Sequence, residues 1–226
     1  MRRRPRVNDD TLFLTDEDTA VPGERPEQRL ERRSASVLKH RLLEQERKQF
    51  EESLASAKTD GALERAAALI VSARRRFLIG ASKSFTYASL LAADLSYGLA
   101  NVTLIDGTIV RPLDVLSDVR TSDVMIAVSL QRYRKYTIDS VVPFAEAGGS
   151  LVLITDAPNA PLTPYADETI VLGRAEDGHP SSSIGIALTL HVLATLTTAS
   201  AKGAGRRAVE RERLAETLGV YVSDED

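Results

Sequence analysis

Five short apolar runs, at residues 77–80, 102–106, 124–129, 151–156 and 169–172, alternate with segments of helical period at about 84–99, 112–119, 135–148 and 161–166. Runs of four to six residues are too short for buried helices and read as strands covered on both faces. Strands that alternate with helices imply crossover connections, and hence a parallel, doubly wound sheet with helices on both sides. The expected class is therefore α/β. The chain closes with helices predicted at about 181–201 and 205–218, and it contains no internal repeat or low-complexity segment.

Residues 1 to about 33 mix charge, proline and glycine with few apolar positions and predict a mobile arm. From 36 to about 58, Leu43, Phe50 and Ala57 recur every seven residues with Leu38, Leu42 and Leu54 near the same face, the pattern of a long amphipathic helix that needs a partner. Asp60 is placed to cap a second helix carrying Leu63, Ala66, Ala67, Ile70 and Ala73, which runs to the cations Arg74, Arg75 and Arg76. The expected organisation is a tail at 1–35, an N-terminal helix at 36–60, the α/β domain at 61–203 and a C-terminal helix and tail at 204–226. A chain of 226 residues that is 43% hydrophobic supports one such core rather than two.

Composition narrows the function classes. The chain has no cysteine, which removes disulfides, thiolate metal sites and cysteine nucleophiles and fits a reducing compartment. The basic start at 2–6 is followed by Asp9, Asp10, Asp16, Glu17 and Asp18 rather than an apolar stretch, so it does not read as a secretory signal. The weakly polar run at 184–199 contains threonines and His191 and is shorter than the ~20 residues of a spanning helix, so it reads as a buried helix with His191 in the core. Cytoplasmic location and no membrane partner are the expectation. A net charge of −3 supplies no global attraction for nucleic acid, and the clusters at 2–6 and 29–33 read as solvated charge.

Ligands of open parallel sheets sit beyond the carboxyl ends of the strands, where strand order reverses. Gly80-Ala81-Ser82-Lys83-Ser84 follows the first run and opens a helix, so that backbone N–H groups, two hydroxyls and a helix N-terminus converge as they would around a phosphate. The glycine spacing is neither that of a dinucleotide fingerprint nor that of a Walker loop. Helix capping by Ser82 or Ser84 is the alternative reading. Ser129 ends the third run and leads into Gln131-Arg132-Tyr133-Arg134-Lys135-Tyr136-Thr137, whose cations and hydroxyls suit an anion. His179-Pro180-Ser181-Ser182-Ser183 precedes the long helix and offers a third N-terminus, which capping explains equally well.

From about 62 to 201 the chain resembles a sugar isomerase (SIS) domain. The features that carry the likeness are the Gly-x-Ser-x-Ser loop at 80–84, Val128-Ser129, the stretch 145–156, Pro161-Leu162, and Tyr165-Ala166-Asp167. The Arg132-Tyr133 pair is similar to a variant frequent in the ligand-sensing half of RpiR-type transcriptional regulators. The resemblance implies a flavodoxin-like five-stranded sheet, a phosphosugar at the strand ends, and association at least as a dimer. Ser82 and Ser84 would then correspond to phosphate-loop residues and Ser129 to the first serine of the second loop, while Gln131, Arg132 and Arg134 stand where the family pattern has Ser, Gly and Thr. The expected phosphosugar-binding set is Ser82, Lys83, Ser84, Ser129, Gln131, Arg132, Arg134 and Ser182.

An aldose–ketose isomerase needs a base beside the substrate carbons. Asp106, Asp156, Glu176, Asp177 and His179 lie at strand ends, but no spacing singles one out, so the catalytic residue is left unassigned. No paired His or Cys ligands suggest a metal, and no cofactor is expected. The segment before Ser36 is too short and too poorly patterned for a helix-turn-helix unit, so this chain by itself is not expected to read DNA sequence. The expected role is a sugar-phosphate sensor of the RpiR type, with a phosphosugar isomerase and a ligand-free dimerisation module as alternatives.

Overall fold

The computed structural model describes residues 35–59, 61–172 and 182–222. The elements in chain order are α1 (Ala35–Thr59), α2 (Ala62–Ser72), β1 (Arg75–Ile79), α3 (Lys83–Gly98), β2 (Val102–Leu104), α4 (Pro112–Leu116), β3 (Asp123–Ser129), α5 (Lys135–Glu146), β4 (Ser150–Thr155), a 3-10 turn (Thr163–Tyr165), β5 (Glu168–Val171), α6 (Ser183–Ser200) and α7 (Ala204–Leu218). The strands form one sheet in the order β2-β1-β3-β4-β5, and every neighbouring pair is parallel. The α/β, doubly wound, five-stranded parallel sheet with an added N-terminal helix is thus the fold of this chain.

Two cores, one on each face, follow from the twofold period of a strand. Leu78, Val124, Ile126, Val128, Val152 and Ile154 point to one face, where they meet Ile70 of α2, Leu91 and Leu95 of α3 and Ile186, Leu190 and Leu193 of α6. Phe77, Ile79, Met125, Ala127, Leu151 and Leu153 point to the other and meet Val141 and Phe144 of α5. The Phe77 and Phe144 rings pack edge to face, with centroids 6.1 Å apart. Each buried Leu, Ile or Phe contributes roughly 1.5–3 kcal/mol, so β3, buried along its whole length, is the strand least tolerant of truncation.

The N-terminal edge of the sheet is held by the first arginines of β1. Arg75 grips Asp123 of β3 through two bonds (Nε to Oδ1 3.0 Å, Nη2 to Oδ2 2.6 Å), and this carboxylate raises the Arg75 pKa. Arg76 is buried and donates to the carbonyls of Ile70, Val71 and Ala100, closing the C-terminus of α2 as the cation run anticipated; burial lowers its pKa.

The described chain divides into two compact units within α1, between Gln45 and Glu46. In the first, Leu42 and Leu43 are 51% and 58% exposed. In the second, Ser53 is buried against Gly185 at the start of α6, where a Cβ on the glycine would meet the serine hydroxyl.

Three local expectations are corrected. The cap position of α2 is held by Gly61 at φ 63°, and Asp60 itself lies outside the described residues. The helix expected at 161–166 is a single 3-10 turn, because Pro161 and Pro164 withdraw two backbone donors from six residues. His191 is exposed rather than in the core. The face of α6 bearing Ile184, His191 and Thr195 turns away from the sheet, and a helix apolar around most of its circumference gives no periodicity from which to read that. Although α6 is long and apolar enough to cross a membrane, with a mean hydropathy of 1.4, it packs here as a core helix on the sheet.

Candidate functional site

Strand order reverses between β1 and β3, and a cavity of about 560 Å³ opens there at the carboxyl ends of the strands. Its walls are the loop from β1 to α3, the loop from β3 to α5, Asp156 after β4, and Ile186 of α6. Of the residues expected to bind the ligand, Ser82, Lys83, Ser84, Ser129, Gln131, Arg132 and Arg134 all line it.

The first wall is a tight turn. Ser82 sits at φ 57° and ψ −129°, values of the first central residue of a type II′ turn, and the Ser84 N–H closes the turn on the Ala81 carbonyl at 3.2 Å. Glycine is the residue that takes this conformation without strain, so a serine here stores strain at the cavity. Ser82 occupies the cap position of α3 but its side chain makes no capping bond. Its hydroxyl is left for another acceptor or donor. Gly80 is required for the approach, since a Cβ there would lie 2.5 Å from the Ser84 carbonyl oxygen. Lys83 donates to the Ser183 hydroxyl at 3.1 Å and lies 5.9 Å from the Tyr87 ring centroid, which ties the loop to the start of α6.

The second wall is held from β4. The Asp156 carboxylate accepts the Gln131 N–H at 2.8 Å and the Tyr133 hydroxyl at 3.1 Å. Burial, and then the Asp156 charge, hold the Tyr133 phenol above its ordinary pKa. Arg132 and Arg134 are exposed at the cavity and form no ion pair with any described residue. Ser129 and Thr137 are buried beneath them. Lys83, Arg132 and Arg134 against the single carboxylate of Asp156 leave the described lining cationic, which suits an anion.

Ser182 does not join this lining. Its hydroxyl donates to Glu46 and accepts the Gly185 N–H at 3.2 Å, so it caps α6 and ties it to α1. Asp106 is likewise engaged elsewhere: it accepts the N–H groups of Thr108, Ile109 and Val110 at 2.8, 2.8 and 3.0 Å, and these bonds lower its pKa. Glu176, Asp177 and His179 lie outside the described residues. Among the described residues no cluster of acidic or histidine side chains could hold a metal. Thr137 and Asp156 are members of the cavity that sequence reasoning did not place in the binding set. A hydroxyl in the first turn of a helix and an acid just past a strand were the available signals.

The fold and this cavity define an α/β domain with a ligand-sized crevice at the reversal of its strand order. The chain belongs to the SIS domain family, whose model matches residues 69–201. Its structure is similar to the sugar isomerase domain of the RpiR transcription factor from Sphaerobacter thermophilus, with a TM-score of 0.69 and 22% identity over 80% of this chain and 98% of that one. It is also similar to the Vibrio vulnificus NanR protein complexed with ManNAc-6P (TM-score 0.66, 19% identity, 78% and 67% covered). A third likeness is to protein MJ1247 of Methanococcus jannaschii, whose structure was taken to infer a 3-hexulose-6-phosphate isomerase (TM-score 0.60, 13% identity, 76% and 97% covered). No curated protein is significantly similar in sequence.

Proposed function

We propose that this chain is a cytoplasmic, sugar-phosphate-binding SIS domain that acts as the effector sensor of an RpiR-type regulator and works as a homo-oligomer without a cofactor. The observation that carries the reading is the convergence of the strained Ser82 turn with Ser84, Ser129, Arg132 and Arg134 around one cationic cavity. NanR, a similar fold, was solved with ManNAc-6P, and the RpiR factor shares the architecture. Ser82, Lys83, Ser84, Ser129, Gln131, Arg132 and Arg134 are the residues assigned to the ligand, with Ser182 supporting them from the α6 cap.

The sensor reading is preferred to an isomerase because Asp106 is not part of the described cavity lining and both oxygens of Asp156 are used to hold the loop at Gln131 and Tyr133. A base must lie within hydrogen-bond reach of the substrate. The isomerase reading draws on the MJ1247 likeness and would place its base among Glu176, Asp177 and His179. Calorimetry with pentose, hexose and hexosamine phosphates, run beside an isomerisation assay on the same panel, separates the two. Binding without turnover supports the sensor, turnover lost in His179→Ala or Glu176→Gln establishes the enzyme, and neither leaves a dimerisation module.

A further inference from the structure

A second cavity, of about 880 Å³, lies at the opposite end of the sheet, between α7 and the C-terminal ends of α3 and α6. Among the described residues its walls carry Arg76, Lys202, Arg206, Arg207 and Arg211 and one carboxylate, Glu210. That carboxylate is engaged outside the groove by Arg213, at 2.6 and 2.9 Å. Helix C-termini attract cations on their own account, and Arg76 answers that need by donating to three carbonyls. The others do not. The side chains of Lys202, Arg206 and Arg207 are exposed and make no hydrogen bond or ion pair with a described residue, and that of Arg211 is steadied by the Tyr97 ring, 5.6 Å away. A chain of net charge −3 thus gathers surplus positive charge into one concave surface remote from the sugar-phosphate cavity.

We propose that this groove binds the phosphate backbone of nucleic acid without reading its sequence. Arg207 and Arg211 are four residues apart and so share one face of α7, about 6 Å apart along its axis, where two forks can engage one phosphate backbone together. Arginine forks match phosphate oxygens, and in the described lining the cations outnumber the carboxylates, so a polyanion with regularly spaced charges complements the groove. A concave surface also admits a strand more readily than the plane of a bilayer. The proposal is independent of what the other cavity holds.

Fluorescence anisotropy of a labelled DNA duplex of arbitrary sequence, titrated with the full chain between roughly 50 and 200 mM salt, tests it. The expected result is a Kd of about 10⁻⁴ to 10⁻⁶ M that weakens steeply with salt. In the triple variant Arg206→Gln, Arg207→Gln, Arg211→Gln the log–log slope should fall by about 1 for each cation removed. Lys135→Gln, at the opposite end of the sheet and in neither cavity lining, should leave the slope unchanged. Circular dichroism confirms that these exposed substitutions leave the fold intact. Absence of binding by the parent overturns the proposal. So does a slope unchanged in the triple variant, which would move binding to the basic residues at 2–6. Polyglutamate or anionic vesicles binding as tightly, with the same sensitivity to the triple variant, would overturn it in favour of an acidic protein or a membrane.

Discussion

The Asp156 carboxylate, just past β4, accepts the Tyr133 hydroxyl at 3.1 Å and so pins the arginine-bearing loop that follows β3. The same carboxylate accepts the Gln131 N–H, and the two bonds grip the loop on either side of Arg132. Tyr133→Phe removes one bond to a half-buried carboxylate and should cost about 1 kcal/mol of stability. Asp156→Ala removes both and should cost more, while weakening binding of the preferred sugar phosphate more than it lowers Tm. Melting curves and calorimetry on the two variants check the order. Equal, negligible effects would mean that the loop is held elsewhere.

The raised phenol of Tyr133 also carries a pH signature. A group whose pKa is higher folded than unfolded keeps its contribution in full below the unfolded value, near 10 for tyrosine, and loses it as pH rises through the folded one. Tyr136, raised by burial and by the Asp106 charge, acts with the same sign. Stability should therefore fall above about pH 10, and Tyr133→Phe should flatten that fall. Denaturant unfolding between neutral and strongly alkaline pH measures it.

At Ser82 strain and chemistry can be separated. Ser82→Gly relieves the φ 57° conformation and removes the hydroxyl, so Tm should hold or rise while sugar-phosphate affinity drops. Ser82→Ala removes the hydroxyl and keeps the strain, so affinity should drop with no gain in Tm. Ser84→Ala should weaken binding by roughly 10- to 150-fold, the worth of one hydroxyl bonded to a charged group. Unchanged affinity in all three would remove the first loop from the site.

The sheet and its ligand edge were legible because β1, β3 and β4 are buried on both faces, and such strands show as continuous apolar runs. The cavity residues were legible because a site at strand ends is local in sequence to each run. What was not legible depended on contacts across the chain. The engagement of Ser182 with Glu46 spans 136 positions, and the role of Asp156 in holding Gln131 and Tyr133 spans about two dozen. Residue type alone also could not show that Ser82 takes a glycine conformation.

The association expected of this chain can be tested on α1. Val37, Leu42 and Leu43 are 41%, 51% and 58% exposed, and on α6 Ile184 is 53% exposed on the same face as His191 and Thr195. Exposed apolar side chains such as Leu42, Leu43 and Ile184 are stabilised when a second copy covers them, and a twofold axis lets each patch serve both partners. Phe50 is only half-buried and Ser53 is packed against Gly185, so a charge at 50 would disturb the protomer as well as any interface. Leu42 and Leu43 avoid that ambiguity. Light scattering should give a dimer or a dimer of dimers for the parent chain, and Leu42→Asp with Leu43→Asp should shift it toward monomer because each aspartate would be buried without a partner. Phe50→Asp should lower Tm in addition. A parent that is monomeric at all concentrations would refute the pairing, as would a double variant whose association is unchanged.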